Sequence, residues 1–358
     1  MRILHVTLAM ICLILSTNLF GQNQEEAEKL VNEGIAYHDR GEYDAAIARY
    51  DLALGLDKDN LLALAEKALT LYTTQKYDEA IACCQKAIEV HPGHENLESV
   101  YVAYGNCLDG LKRPQEAIAV YDSGIELFPN FYQLYFNKGV TLSSERKYDE
   151  SILCFEKSVS LNPKHASSHN AIAQLSLLQK KIIPSILAYT RFYTLEPETA
   201  RANKNLEYFK VAMKGSAEKS GNNSNTIYLS VDNLSQSMDS SATKENNFTM
   251  TELILSILSV TDNDKKVKKM SEPELFESKF NTVCSSLAEN LDKNNSGFYW
   301  KYYAPFLIEM HQQKLTEAFS NIVYATSGDP KVAKWIDKNE KELSRFFVWS
   351  ESYVWPSN

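Results

Sequence analysis

The chain has 358 residues, 44% of them apolar and 23% charged, with a formal net charge of −9. An acidic chain gains nothing by displacing counterions from polyphosphate, so nucleic acid is not an expected partner. Gly is scarce, 13 of 358 and about half the usual ~7%, which argues against glycine-rich phosphate cradles and turn-rich β folds.

Residues 1–21 read as a secretory signal. Arg2 supplies a short basic start, and Val6 to Leu15 is an apolar run broken only by Thr7. That run is too short to span ~30 Å of hydrocarbon but suits the apolar core of a signal peptide. Ser16-Thr17-Asn18 and Phe20-Gly21-Gln22 follow, with cleavage expected after Gly21 or Gln22. The ending resembles the signal peptides of Bacteroidota. Cys12 lies inside the apolar run behind Met10-Ile11, without the small residue that lipidation needs. The expectation is a periplasmic or secreted protein with no membrane span in the mature chain.

Cys83, Cys84, Cys107, Cys154 and Cys284 remain after cleavage. Their odd number and irregular spacing form no disulfide framework. They read as buried small hydrophobes, although a disulfide between neighbouring helices stays open.

From residue 27 the chain repeats itself. Five segments align: YDAAIARYDLALGLD (43–57), YDEAIACCQKAIEVHP (77–92), PQEAIAVYDSGIELFP (114–129), YDESILCFEKSVSLNP (148–163) and IIPSILAYTRFYTLEP (182–197). They belong to windows 27–60, 61–94, 98–131, 132–165 and 166–199, interrupted only by 95–97. Each window reads as two helices, A and B. Gly34, Ala68, Gly105, Gly139 and Ala173 lie mid-helix A. Ala46, Ala80, Ala117, Ser151 and Ser185 lie early in helix B, so both backbones can approach closely. Tyr50, Cys84, Tyr121, Phe155 and Tyr189 follow one turn later. Pro92, Pro129, Pro163 and Pro197 stop helix B, because Pro cannot continue the hydrogen-bond ladder.

These residues resemble the tetratricopeptide repeat family over about half the chain. The resemblance implies an all-α solenoid of five helix pairs over 27–214, with a capping helix near 200–213 that presents Leu206, Phe209 and Met213. Two departures stand out: Lys58 replaces the first Pro, and Phe192 stands where the other repeats have a small residue. Phe192 implies that the last helix B packs against something other than a further repeat.

The resemblance also implies a concave groove, lined by the A helices, that holds a protein or peptide ligand. The candidate groove residues are Leu69, Tyr72, Asn106, Phe136, Asn137, Asn170 and Gln174. None is Lys or Arg, so the carboxylate clamp of chaperone-binding members is missing. The amides of Asn106, Asn137, Asn170 and Gln174 read either as a ladder for a peptide backbone or as ordinary solvated side chains.

Residues 215–249 hold 19 Ser, Thr, Asn or Gly in 35 and read as a flexible linker. Within it Ile227 to Val231 alternates as an edge-pairing segment would. A compact helical domain is expected over 250–358. Leu275, Phe276, Phe280, Val283, Cys284, Leu287 and Leu291 form one stripe. Leu315, Phe319, Ile322 and Val323 form a second; Asp329-Pro330 opens a third helix, and a last one starts near 340. All four Trp (Trp300, Trp335, Trp349, Trp355) fall here, so the two ends are built differently.

No catalytic, cofactor or metal site emerges. Asp292 to Gly297 matches the start of an EF-hand loop, but Tyr303 stands where a bidentate Glu is required. The pairs His91/His94 and His165/His169 read as plain surface residues, and Glu309, His311 and Asp292 form no motif. The leading reading is a non-enzymatic protein-interaction scaffold. The rivals are an enzyme in the C-terminal domain, or a carbohydrate-binding platform built from its aromatics.

Overall fold

The computed structural model describes residues 23–215, 218–219, 227–228, 245–261, 267–292 and 295–356. The signal at 1–21 and most of the 215–249 linker lie outside the described residues. Of the alternating segment in that linker, Ile227–Tyr228 pairs antiparallel with Glu218–Lys219. The described chain is otherwise helical, an all-α solenoid of helix pairs followed by further helices. It divides into two compact units, Met1–Cys154 and Phe155–Asn358.

The first unit begins with helix α1 (23–39). It continues with α2 (Tyr43–Leu56), α3 (Leu61–Thr73), α4 (Tyr77–Val90), α5 (Glu98–Gly110), α6 (Pro114–Leu127) and α7 (Tyr132–Ser144). Helix α8 (Tyr148–Leu161) runs from this unit into the second. Within the unit each helix packs on the next, and alternate helices α3, α5 and α7 are neighbours. Helices α4 and α6 each end two residues before Pro92 and Pro129. The insertion 95–97 becomes a short 3-10 turn, with the His94 side chain accepting from the Asn96 N–H.

Every A–B turn uses one left-handed residue. These are Gly41 (φ 77°), Gln75 (61°), Lys112 (62°) and Arg146 (60°) in the first unit, and Lys180 (61°) in the second. The next N–H reaches back five residues: Lys76 to the Leu71 carbonyl at 2.8 Å, Arg113 to Leu108 and Lys147 to Leu142 at 2.9 Å. This bonding satisfies the last carbonyls of helix A.

In the first three repeats the small residue of helix A and its partner in helix B are matched in size. A Cβ on Gly105 would lie 2.2 Å from Tyr121 Cε1, and one on Gly34 would lie 2.4 Å from Tyr50 Cε1. In the second repeat helix A carries Ala68 and helix B the small Cys84, both fully buried. The volume lost in one helix is supplied by its partner, as close packing requires.

The second unit holds the end of α8, then α9 (Ala166–Leu178), α10 (Ile182–Leu195) and α11 (Ala200–Ala212). Beyond the linker come α12 (Thr249–Thr261), α13 (Glu272–Glu289), α14 (Phe298–Tyr302), α15 (Ala304–Gln312), α16 (Thr316–Val323), α17 (Pro330–Lys338) and α18 (Glu340–Ser352). Helices α13, α16, α17 and α18 are the four helices expected in this region. Asp329 caps α17 by accepting the Lys331 N–H at 2.8 Å. Leu291 is an exception to its stripe: α13 ends at Glu289 and Leu291 is exposed.

The arrangement of this unit differs from the expected separate domain after a linker. Every residue of α10 from Ile182 to Thr194 is buried. One side is covered by α9 and α11, and the rest by α12, α15 and α16. The physical reason lies in its composition: Ile182, Ile183, Ile186, Leu187, Tyr189, Phe192 and Tyr193 surround the helix, and a helix apolar all round must be enclosed. Helix α11 carries Leu206, Phe209 and Met213 as expected, all buried, but it does not end the packing. Phe209 stacks on Tyr189 and Tyr193 and meets Phe276 of α13 edge-on at 5.1 Å. Phe192 packs against Tyr193, with the Arg201 guanidinium 5.4 Å over its ring. The helices beyond the linker thus complete the core of the last repeat.

Candidate functional site

In the first unit the candidate groove residues sit on α3, α5 and α7. Leu69 is exposed, while Tyr72, Asn106, Phe136 and Asn137 are half-buried. Asn106 Oδ1 accepts from the Tyr121 hydroxyl at 2.7 Å. Asn137 Nδ2 donates to the Gln133 carbonyl of its own helix at 2.8 Å. Each amide keeps hydrogen-bonding capacity for a ligand, because Asn has donors and acceptors to spare.

The helix A positions that the family resemblance turns toward a ligand also include the carboxylates Glu66 and Asp109. Burial pushes Glu66 above the ordinary carboxylate range, opposed by His38 and reinforced by Asp39. Burial does the same to Asp109, countered by Lys112 and reinforced by Glu145. His38 Nδ1 and Thr70 Oγ1 lie 2.7 Å apart beside Glu66. An anionic ligand would have to approach these carboxylates, which agrees with the missing cationic clamp.

Asn170 and Gln174 lie in the second unit and are engaged differently. Asn205 Nδ2 of α11 donates to Asn170 Oδ1 at 2.7 Å, and Gln174 Nε2 donates to Asn205 Oδ1 at 3.1 Å. This amide triangle joins α9 to α11. Asn205 is 1% exposed and carries no repeat signature, so sequence reasoning had no signal for it.

His169 is not a surface residue. It is fully buried, with Nδ1 2.7 Å from the Tyr303 hydroxyl and Nε2 3.0 Å from the Pro163 carbonyl. A carbonyl only accepts, so Nε2 carries the proton and Nδ1 accepts from Tyr303. Burial, with Arg191 nearby, pushes its pKa down to about 3, so it stays neutral through the physiological range. Periodicity places His169 on a helix, but only the arrival of α14 closes over it.

Arg191 is 3% exposed. At the equivalent position the other repeats place Leu52, Lys86, Ser123 and Lys157, all exposed or half-exposed. Its guanidinium donates to the Pro163 carbonyl and to Thr194 and Ser350 hydroxyls at 3.2–3.4 Å. It lies 4.8 Å over the Trp355 ring. Burial lowers its pKa to about 10.

Glu156 of α8 packs against the Tyr299 hydroxyl, and burial pushes its carboxyl up to about 7. The unfolded chain loses this proton near the ordinary 4.5 while the folded chain holds it to about 7. Taken by itself, Glu156 therefore costs the second unit stability as pH rises from about 4.5 to 7, while the neutral, buried His169 contributes with the opposite sign below about 6.5. Glu156→Gln should remove the Glu156 part of the slope, raising the urea midpoint relative to the unaltered chain at pH 8 and leaving it unchanged at pH 4.5. An unaltered slope would refute the assignment.

These strongly shifted groups are enclosed among rings instead of gathered in an open cleft. Glu309 Oε1 accepts from Trp349 Nε1 at 2.6 Å, and His311 Nδ1 lies 3.4 Å from Asn281 Oδ1. Cys284 is fully buried, and its thiol is pushed up by burial. Among the described residues no three His, Cys, Asp or Glu are grouped to hold a metal ion. Part of the EF-hand-like loop, Lys293 and Asn294, lies outside the described residues. Gly297 beside it is seated on Asn246, whose Oδ1 accepts the Tyr299 N–H at 3.0 Å.

The C-terminal aromatics pack on one another. Trp300, Tyr302, Tyr303 and Phe306 are all buried. Trp300 stacks on Phe248 at 4.5 Å and donates to the Asn247 carbonyl. No described helix is long and apolar enough to cross a membrane.

Models described as tetratricopeptide repeat match residues 30–64, 60–130 and 132–165. The chain is 28% identical over 169 residues to "Protein STIP1 homolog" of Dictyostelium discoideum, covering 39% of this chain and 30% of that protein. It is 33% identical over 110 residues to the "Small glutamine-rich tetratricopeptide repeat-containing protein" of the same organism, covering 31% and 32%. The chain thus spans about a third of the length of these curated relatives. Among solved structures, pilF of Pseudomonas aeruginosa aligns at 21% identity and TM-score 0.44, over 54% of this chain and 90% of that one. YrrB, a TPR protein with an unusual peptide-binding site, aligns at 23% identity and TM-score 0.39, over 52% and 97%.

Proposed function

Because residues 30–165 are tetratricopeptide repeats, we propose that this chain is a non-enzymatic scaffold whose α3, α5 and α7 bind a peptide or helical segment of a partner protein. The observation that carries this reading is the row of accessible apolar and amide side chains on successive A helices. Leu69 is 43% exposed, and Tyr72, Asn106, Phe136 and Asn137 are partly accessible, with no Lys or Arg among them. Apolar and aromatic side chains with amides between them suit a peptide's side chains and backbone together. Glu66 and Asp109 on the same helices favour a neutral or cationic segment over an anionic one. The signal-like residues 1–21 support a place in the periplasm or outside the cell.

Leu69→Glu combined with Tyr72→Ala is expected to abolish recovery of a stoichiometric protein partner when the tagged mature chain is used to capture from its native envelope extract. Neither side chain is buried, so circular dichroism should stay unchanged. Undiminished capture by the folded double variant would overturn the groove reading. Asn137→Ala isolates the amide contribution, since Asn137 bonds only within its own helix. Asn170→Ala is a poorer probe, because it also breaks the bond to Asn205.

A further inference from the structure

Residues 353–356 follow the end of α18 as a non-helical segment. Trp355 enters a box of rings. Its centroid lies 4.8 Å from Tyr302, 5.0 Å from Phe306, 6.0 Å from Tyr303 and 6.2 Å from His169. The Arg191 guanidinium covers the Trp355 ring at 4.8 Å and the Phe306 ring at 5.7 Å. Among the described residues no carboxylate pairs with Arg191; its hydrogen bonds go to one carbonyl and two hydroxyls. The faces of aromatic rings thus complement this buried cation alongside those hydrogen bonds.

The segment is held in an unusual way. No backbone hydrogen bond joins Val354, Trp355 or Pro356 to the described chain, and Val354 is 87% exposed. Trp355 Nε1 is buried without a hydrogen-bond partner. A buried donor left unpaired loses its hydration without return. The occupant thus depends on ring contacts alone and is not optimal for the box. The walls belong to other elements: His169 to α9, Arg191 to α10, Tyr302 to α14 and Phe306 to α15. They are set by the packing of those helices, independently of residues 353–356.

We propose that the ring box around Arg191 is a second peptide-binding site, selective for a segment that inserts an aromatic side chain, and that residues 353–356 are its resident and displaceable occupant. This site is separate from the groove on α3, α5 and α7 and does not depend on that reading. A partner segment enters by releasing Trp355, with the chain turning after Ser352. The tether holds the resident at an effective concentration in the millimolar range, so a free competitor binds the intact chain weakly and a chain without Trp355 strongly.

The test uses full-length chain and a synthetic peptide of residues 350–356, Ser-Glu-Ser-Tyr-Val-Trp-Pro, followed by calorimetry. Trp355→Ala is expected to bind this peptide at least about tenfold more tightly than the unaltered chain does. The same peptide with Ala in place of Trp should not bind. Equal affinity of the two chains, or no binding to a folded Trp355→Ala chain, overturns the proposal. Should that variant not fold, the unaltered chain labelled with 5-fluorotryptophan decides. Excess peptide should shift the Trp355 fluorine resonance, and with it that of Trp349, whose ring meets Tyr353 of the released segment at 6.2 Å. A Trp355 resonance unmoved by the peptide overturns the proposal.

Discussion

Replacing Phe209 by alanine is expected to lower the unfolding free energy of the second unit by about 3–5 kcal/mol. Phe209 is fully buried, stacked on Tyr189 and Tyr193 at 5.3 and 5.5 Å and edge-on to Phe276 at 5.1 Å. Phe319 lies 6.5 Å away on the far side. One side chain thus links α10, α11, α13 and α16. A loss of this size is a large part of the ~5–15 kcal/mol that stabilises a typical domain. The measurement is simple because all four Trp lie in this unit. Urea unfolding followed by Trp fluorescence should show the full loss. A change below about 1 kcal/mol would mean that α11 is a peripheral cap and not a member of this core.

The second large effect concerns the first unit. Gly105→Ala places a methyl group 2.2 Å from Tyr121 Cε1, in a ring that is 1% exposed and tied by its hydroxyl to Asn106. The ring cannot swing away, so overpacking should cost about 1–3 kcal/mol. The second repeat already contains the compensated arrangement, Ala68 with Cys84, both fully buried. Tyr121→Cys alone should also destabilise, by leaving a cavity. The pair Gly105→Ala with Tyr121→Cys should cost less than the sum of the two, with a coupling of about 0.5–3 kcal/mol. Far-UV circular dichroism reads this, since no Trp lies in the first unit. Strict additivity would show that the two positions are not in steric competition.

The sulfur chemistry follows from the same packing. Cys84 and Cys107 are fully buried, and burial pushes the Cys107 thiol up to about 12. Both are held as thiols at neutral pH, which suits the role of small core residues over that of nucleophiles.

Much of the fold was legible in the sequence because repeats impose the same steric problem at fixed intervals. The small residue in helix A, its larger partner in helix B and the closing Pro each solve a local contact within one helix pair. They can be read without knowing what lies beyond. The size match of Gly105 with Tyr121 and of Ala68 with Cys84 emerged only from the packing of the two helices. The left-handed residue in each A–B turn was less visible. Gln75, Lys112, Arg146 and Lys180 occupy it with φ near 60°, and only Gly41 is the residue type that announces such a turn.

The groove candidates Leu69, Tyr72, Asn106, Phe136 and Asn137 come from the family resemblance, which implies a ligand face along the A helices. The fates of Asn170, Gln174 and His169 did not. Each is decided by a residue distant in the chain: Asn205 for the two amides, Tyr303 for the histidine. Arg191 shows the contrast most plainly. Repeat register assigns it to a solvated face, as with Leu52 and Ser123, and the fold encloses it beneath Phe306 and Trp355. One sequence signal did point this way. Phe192 stands where the other repeats have a small residue, which implies that this helix B packs against something other than a further repeat. The sequence by itself thus determined the helix pairs and their spacing, because those depend on contacts within one repeat length. What covers the last helix B, and the ring box that results, was decided only by tertiary structure, because those contacts join segments from beyond the linker to the repeats.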